Sequence, residues 1–219
     1  MNKFQVIIPV INPGLADVLI KNMEENTLLP EKVIIIDNSQ CSYKPQSDKF
    51  LIEIYHSISG MVNESLNLGI SKVSKNCDYV SLFNDDIQIG SWFFERIARV
   101  FKEALICSAV CPNTIIDTKK LPLIEGPFIY HQMKKREGWA MTFDKHLLNM
   151  APPIPDTRIK TFHGDDWFWL YTTRHIGMLW YKDLGNNIYH MIGQSVLKLN
   201  KRRDKKTEHN EYFKILGEL

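Results

Sequence analysis

"YVSLFNDDIQIG", residues 79–90, carries the reading that decides the fold. Tyr79 to Phe83 form an apolar, β-rich run of the kind that fills a buried strand. The run stops at Asn84, Asp85 and Asp86. Adjacent carboxylates each raise the cost of ionising the other. A hard divalent cation, Mg²⁺ or Mn²⁺, would relieve that tension, because it takes few carboxylates and fills its shell with water and phosphate oxygens. The competing role is helix capping, since the helix-like "SWFFERI" begins just downstream.

Outward from this stretch the chain alternates. "FQVIIPV" and "EKVIIIDNS" are apolar on both faces, as strands covered by helices on either side must be. "FLIEIYHS" is a third strand and "ICSAVCPN" another. Helical spacing appears in "ADVLIKNMEEN", in "MVNESLNLGISKVSK" and in "SWFFERIARVFKEA". The succession predicts an α/β fold with a mostly parallel, doubly wound central sheet and helices on both faces. Beyond about residue 112 the rhythm breaks into a Pro- and Gly-containing stretch, suited to a loop over a cleft. "WAMTFDKHLLNM" reads as a strand entering a short helix, and "GDDWFWLYTTRHIG" as an aromatic helix with acids at its start.

The 219 residues suit one elaborated domain. A net charge of +2 does not by itself argue for nucleic acid. The basic residues gather in "KLNKRRDKK", which is either a solvated tail or a patch meeting phosphate. The N-terminus lacks a secretory signal, and no window approaches the roughly 20 apolar residues of a membrane helix. Cys41, Cys77, Cys107 and Cys111 show no CxxC pairing. Reduced thiols in a cytoplasmic protein are therefore expected.

In an open α/β sheet, ligands bind beyond the carboxyl ends of the strands. Here those ends carry Pro9, Val10 and Asn12, then Asp37 and Asn38, then Asn84, Asp85 and Asp86. Asp37 could accept from a base or a ribose hydroxyl; it could equally be a turn residue. Neither glycine-rich phosphate motif is present, so a bound nucleotide would have its diphosphate neutralised by a cation rather than by a backbone cradle.

The set "VIIPVIN", "VIIIDNS", "NESLNLGI", "YVSLFNDDI", "GDDW" and "YHMIGQS", in this order, resembles the GT-A glycosyltransferases of family 2, especially small rhamnosyltransferase-like members. The resemblance spans about residues 4 to 195. It implies that Pro9, Val10, Asn12, Asp37 and Asn38 hold the nucleotide, with Asn67 in the Asn-x-Gly helix element. It implies Asn84 near the ribose with Asp85 beside it, and Asp86 and His190 at the metal. Asn84 stands where the D-x-D motif has its first Asp. The family's catalytic base falls on Asp165-Asp166, where Glu-Asp is usual; register favours Asp166, with Asp165 as its neighbour. In this frame residues 1–112 form the nucleotide-sugar half, 113–200 the acceptor and catalytic half of the same domain, and 201–219 a basic tail.

The expected function is metal-dependent, inverting transfer of a sugar from a nucleotide-diphosphate donor to a hydroxyl acceptor. The acceptor would be a glycan, a lipid-linked glycan or a modified nucleic acid base. The cofactor would be Mn²⁺ or Mg²⁺, and Trp139, Trp167, Phe168 and Trp169 are either an acceptor platform or core. Lys134, Lys135, Arg136 and the tail could meet a phosphate-bearing acceptor, a lipid diphosphate or a nucleic acid. The expected location is cytoplasmic, with peripheral membrane contact as a variant. The alternative function is a catalytically silent nucleotide-sugar-binding module of the same fold. A nucleotidyltransferase would want a basic, glycine-rich loop after the first strand, and "VINPGLADV" does not supply one.

Overall fold

The computed structural model describes residues 2–39, 41–58, 62–115, 123–133, 140–151, 172–174 and 176–191. The elements run β1 (Phe4–Val10), α1 (Pro13–Glu24), β2 (Lys32–Asp37), β3 (Leu51–His56), α2 (Val62–Ser71), β4 (Tyr79–Phe83), β5 (Ile87–Ile89), α3 (Phe93–Glu103), β6 (Ala109–Ile115), β7 (Tyr130–Gln132), β8 (Ala140–Asp144), α4 (Lys145–Met150) and β9 (Trp180–His190). One nine-stranded sheet has the order β3-β2-β1-β4-β8-β6-β9-β5, with β7 also on β9.

The expected α/β architecture is present, with helices on both faces. Residues alternate across a strand, and β1 shows what that does. Phe4, Val6, Ile8 and Val10 join a core with Ala16, Leu19 and Met23 of α1 and with Phe93, Phe94 and Ile97 of α3. Ile7 enters a second core, with Leu66 of α2 and Leu148 of α4. A strand buried on both sides must be apolar at every position, which is why β1 and β2 read as unbroken hydrophobic runs. Gly69 lets α2 lie close on β1, because an added Cβ would overlap the Ile7 side chain.

Strands β3, β2, β1 and β4 are mutually parallel, with Val10 beside Asp37 and Asp37 beside His56. Their carboxyl ends therefore share one edge. Beyond β4 the sheet is mixed: β8 runs antiparallel to both β4 and β6, while β6 and β9 are parallel. The buried Ser81 and Thr142 hydroxyls meet at 2.8 Å across the β4–β8 seam. Three strands add to those expected: β5, β7 and β9. β9 is eleven residues long and carries Lys182, Asp183, Asn186 and Asn187 in its interior. Asp183 is fully buried and bidentate to Arg96 of α3, with Nε to Oδ2 at 2.9 Å and Nη2 to Oδ1 at 2.7 Å. The same guanidinium donates to the carbonyls of Gly126 and Pro127. Among the described residues, no helix is long and apolar enough to cross a membrane. None of the four cysteines forms a disulfide.

Candidate functional site

Asn84, Asp85 and Asp86 occupy the tight connection between β4 and β5, where short polar side chains favour a turn. The carboxylates of this turn do different work. Asp85 Oδ2 accepts from the backbone N–H groups of Ile11 at 2.8 Å and Asn12 at 2.7 Å. It thereby fastens the end of β4 to the end of β1. Asp86 is held by the antiparallel pairing of β5 with β9, which sets Ile87 against His190. The Met191 N–H donates to the Asp86 carbonyl at 2.9 Å. That register brings His190 Nε2 to 3.2 Å from Asp86 Oδ1, with both side chains buried. Capping of α3 is not the role of either acid, since the helix starts only at Phe93 with Trp92 in the cap position.

Asp37, at the end of β2, is buried and organises the loop that follows. Its Oδ1 accepts from the Ser39 N–H at 2.9 Å and the Ser39 hydroxyl at 2.5 Å, and its Oδ2 from the Tyr43 N–H at 3.2 Å. The turn role weighed for Asp37 is thus occupied. His56 Nδ1 lies 3.7 Å from Asp37 Oδ2. Asn38 donates from its backbone N–H to the Val10 carbonyl and from Nδ2 to Ser65 Oγ at 2.8 Å. Its Oδ1 is shielded and lacks a hydrogen-bond partner among the described residues. Asn12 opens α1 ahead of Pro13, yet its side chain makes no capping bond. The Pro9 and Val10 side chains are buried, Val10 in the α1–α3 core, so only their backbone belongs to this edge. Asn67 sits half-buried on α2.

The edge is strongly acidic. The Tyr43 hydroxyl donates to Asp17 Oδ1 at 2.7 Å. Its pKa is pushed up, first by burial, then by the Asp17 hydrogen bond and charge, and further by the charges of Asp37 and Asp85. Among the described residues, Asp17, Asp37 and Asp86 have no lysine or arginine partner. A diphosphate brought to such an edge needs a cation with it.

A cation can be tested against the donor set. Asp86 Oδ1 is buried and makes no hydrogen bond among the described residues, although an imidazole nitrogen stands 3.2 Å away. Carboxylate oxygen and imidazole nitrogen are ordinary ligands for Mn²⁺, and such ions leave several positions to water and phosphate. Asp86 and His190 therefore fit as two protein ligands. Among the described residues no group of three metal-ligating side chains occurs. Asp165, Asp166, Trp139, Trp167, Phe168, Trp169, Lys134, Lys135, Arg136 and the tail from residue 201 lie outside the described residues.

No protein-family model matches the chain, and no curated protein matches it in sequence. Solved structures do match in fold. Residues 1–349 of S. aureus TarS align over 97% of this chain and 72% of that one, at 14% identity and TM-score 0.63. The same protein in complex with UDP gives TM-score 0.65 at 13% identity, covering 98% of this chain and 70% of that one. GalNAc-T7 with UDP, GalNAc and Mn²⁺ gives TM-score 0.68 at 10% identity, covering 86% of this chain and 43% of that one. The fold is that of the GT-A glycosyltransferases.

Proposed function

We propose that this protein is a metal-dependent, inverting glycosyltransferase that moves a sugar from a nucleotide-diphosphate donor to a hydroxyl acceptor. The observation that carries the reading is the buried Asp86 Oδ1, without a hydrogen bond among the described residues and beside His190, at the edge where four parallel strands end. TarS binds UDP and GalNAc-T7 binds UDP, GalNAc and Mn²⁺ on the same fold, which supports a nucleotide-sugar donor and a divalent cation. Assignment to family 2 rests on the sequence motifs.

In this reading Asp86 and His190 would hold the cation, which supplies positive charge against the departing diphosphate. Asp85 fixes the amides of Ile11 and Asn12 and so the entrance to α1. Asn12, Asn38, Asn67 and Asn84 offer amide donors and acceptors to ribose, base or phosphate. Asp37 shapes the loop against which the base would lie. Asp166, with Asp165 beside it, takes the acceptor's hydroxyl proton; a single carboxylate acting as base, with no second one needed as nucleophile, is the inverting arrangement. Residues 1–112 provide the donor half, 113–200 the acceptor and catalytic half of the same domain, and 201–219 a basic tail.

Donor hydrolysis or transfer, measured with Mn²⁺, with chelator and in Asp86→Ala, tests the reading. Loss in both the chelated and the substituted protein is expected; activity indifferent to both removes the cation from the reaction. Asp166→Asn should abolish transfer and leave donor binding intact. A second reading, a silent nucleotide-sugar-binding module, draws on Asn84 in place of an acid. Calorimetric donor binding without turnover across a broad acceptor panel would favour it.

A further inference from the structure

At the far end of α1 from Asn12, a groove of about 490 Å³ opens between the helix C-terminus, β5 and the segment around Leu123. Its volume suits a small ligand, for which sites run from about 300 to 1,000 Å³. Its helix wall, Asn22 and Glu25, stands at the opposite end of the twelve-residue α1 from Asn12, and its strand wall begins at Gln88, two residues beyond Asp86. The two sites share no lining residue. The groove's frame is fixed by Asn26 Nδ2 donating to the Gly90 carbonyl at 3.0 Å and by the Thr27 N–H donating to Ser91 O at 2.8 Å. On the other wall, Glu125 Oε1 accepts the Trp92 N–H at 2.9 Å. Gly90 admits that carboxylate, since a Cβ there would lie 2.8 Å from the same oxygen.

The wall chemistry is specific. Trp92 is 48% exposed, although it is the largest side chain in the groove. Asn22 Oδ1 is shielded and has no hydrogen-bond partner among the described residues, which leaves its amide nitrogen as the group that can face the groove. Glu25 and Gln88 are not engaged in side-chain hydrogen bonds among them either. The groove thus presents an aromatic face, the Gln88 amide that both donates and accepts, the Asn22 amide nitrogen that donates, and a carboxylate that accepts. A pyranose ring is the matching shape: a C–H face to lay on the indole and a rim of hydroxyls that each donate and accept. Among the described residues no lysine, arginine or histidine lines the groove, and Glu25 and Glu125 repel phosphate. A nucleotide or a lipid phosphate does not suit it. A basic peptide would need acceptors alone, whereas the amide donors favour a neutral polyhydroxyl ligand.

We propose that this groove is a second carbohydrate-binding site, taking an uncharged pyranose unit of a glycan at the end of α1 opposite the strand-end edge. Binding there requires neither donor nor cation, so the proposal stands or falls separately from the transferase reading. A glycan held at both sites would have its reacting end presented at raised effective concentration.

Saturation-transfer NMR with maltotetraose, cellotetraose and chitotetraose at millimolar concentration, without nucleotide and with chelator, provides the test. Transfer to at least one saccharide is expected, weakened about tenfold by Trp92→Ala, as expected for loss of an aromatic contact, and largely retained in Trp92→Phe. Gln88→Ala gives an independent loss should the Trp92 variant melt early. Absence of transfer to all three saccharides overturns the proposal, as does transfer undiminished by both alanine substitutions. Transfer lost in Asp86→Ala but kept in Trp92→Ala also overturns it, by placing the sugar at the strand ends. Saturation transfer to tetralysine, diminished by Trp92→Ala and with none to any saccharide, makes the groove a basic-peptide site and overturns it too.

Discussion

At the scale of single residues, the neighbours Asp85 and Asp86 divide structural and chemical work between them. Asp85 spends one oxygen on two backbone amides at 2.8 and 2.7 Å. Charge-assisted bonds of this kind are the strong ones, and removing the acceptor strands two donors. Asp85→Ala should therefore lose about 3 kcal/mol of stability, read as a lower urea midpoint, while Asp85→Asn keeps an acceptor and recovers part of the loss. Asp86 has the opposite profile. Its Oδ1 makes no hydrogen bond among the described residues, so Asp86→Ala should leave the urea midpoint within about 0.5 kcal/mol or raise it. Transfer in that variant should fall about a hundredfold or more. A variant set in which stability and activity fell together at both positions would show that the pair acts as one structural unit.

At the scale of elements, β9 explains both what the sequence discloses and what it conceals. β1, β2 and β4 are legible because burial on two faces demands unbroken apolar runs, and their shared direction brings Asp37, Asn84 and Asn12 to one edge. β9 is not legible: Lys182, Asp183, Gly185, Asn186 and Asn187 break a period of two and resemble a turn. Asp183, Gly185, Asn186 and Asn187 are each explained by a partner far along the chain. Asp183 meets Arg96, Asn186 Nδ2 donates to the Phe93 carbonyl, and Asn187 accepts from Asn113 Nδ2. Gly185 admits the Pro127 and Gly126 carbonyls, the latter 2.7 Å from where a Cβ would lie. The meeting of Asp86 with His190 is concealed for the same reason, since β5–β9 pairing creates it; only the motif resemblance pointed to His190. The Trp92 groove joins three separate segments and leaves no local pattern. Because the Arg96–Asp183 pair is buried, Arg96→Met should strand the carboxylate and cost about 3–5 kcal/mol in thermal unfolding. Arg96→Met combined with Asp183→Leu should cost less than the sum of the two single changes, a coupling that a double-mutant cycle reads directly.

At the scale of the whole molecule, burial stores an alkaline weakness in both cores. The Cys107 thiol is pushed up to about 12 and the Cys77 thiol to about 11, in each case chiefly by desolvation. Burial also raises Tyr43 and Tyr79. All four groups stay neutral in the fold at a pH where the unfolded chain has begun to release their protons. Their contribution is complete below the ordinary thiol range and is lost as pH rises through the folded values, up to about 12 for Cys107. Within that window each such group tilts the balance toward unfolding by about 1.4 kcal/mol per pH unit. Melting temperature should hold steady through neutral pH and fall with increasing slope above it. Replacing Cys77 and Cys107 by Ala should flatten the alkaline limb even if it lowers the neutral plateau by opening small cavities. A limb of unchanged slope in that double variant would assign the alkaline transition to other groups. Iodoacetamide gives a second readout on the same thiols: the exposed Cys41 should react in the folded protein at mildly alkaline pH, and Cys77 and Cys107 only after unfolding.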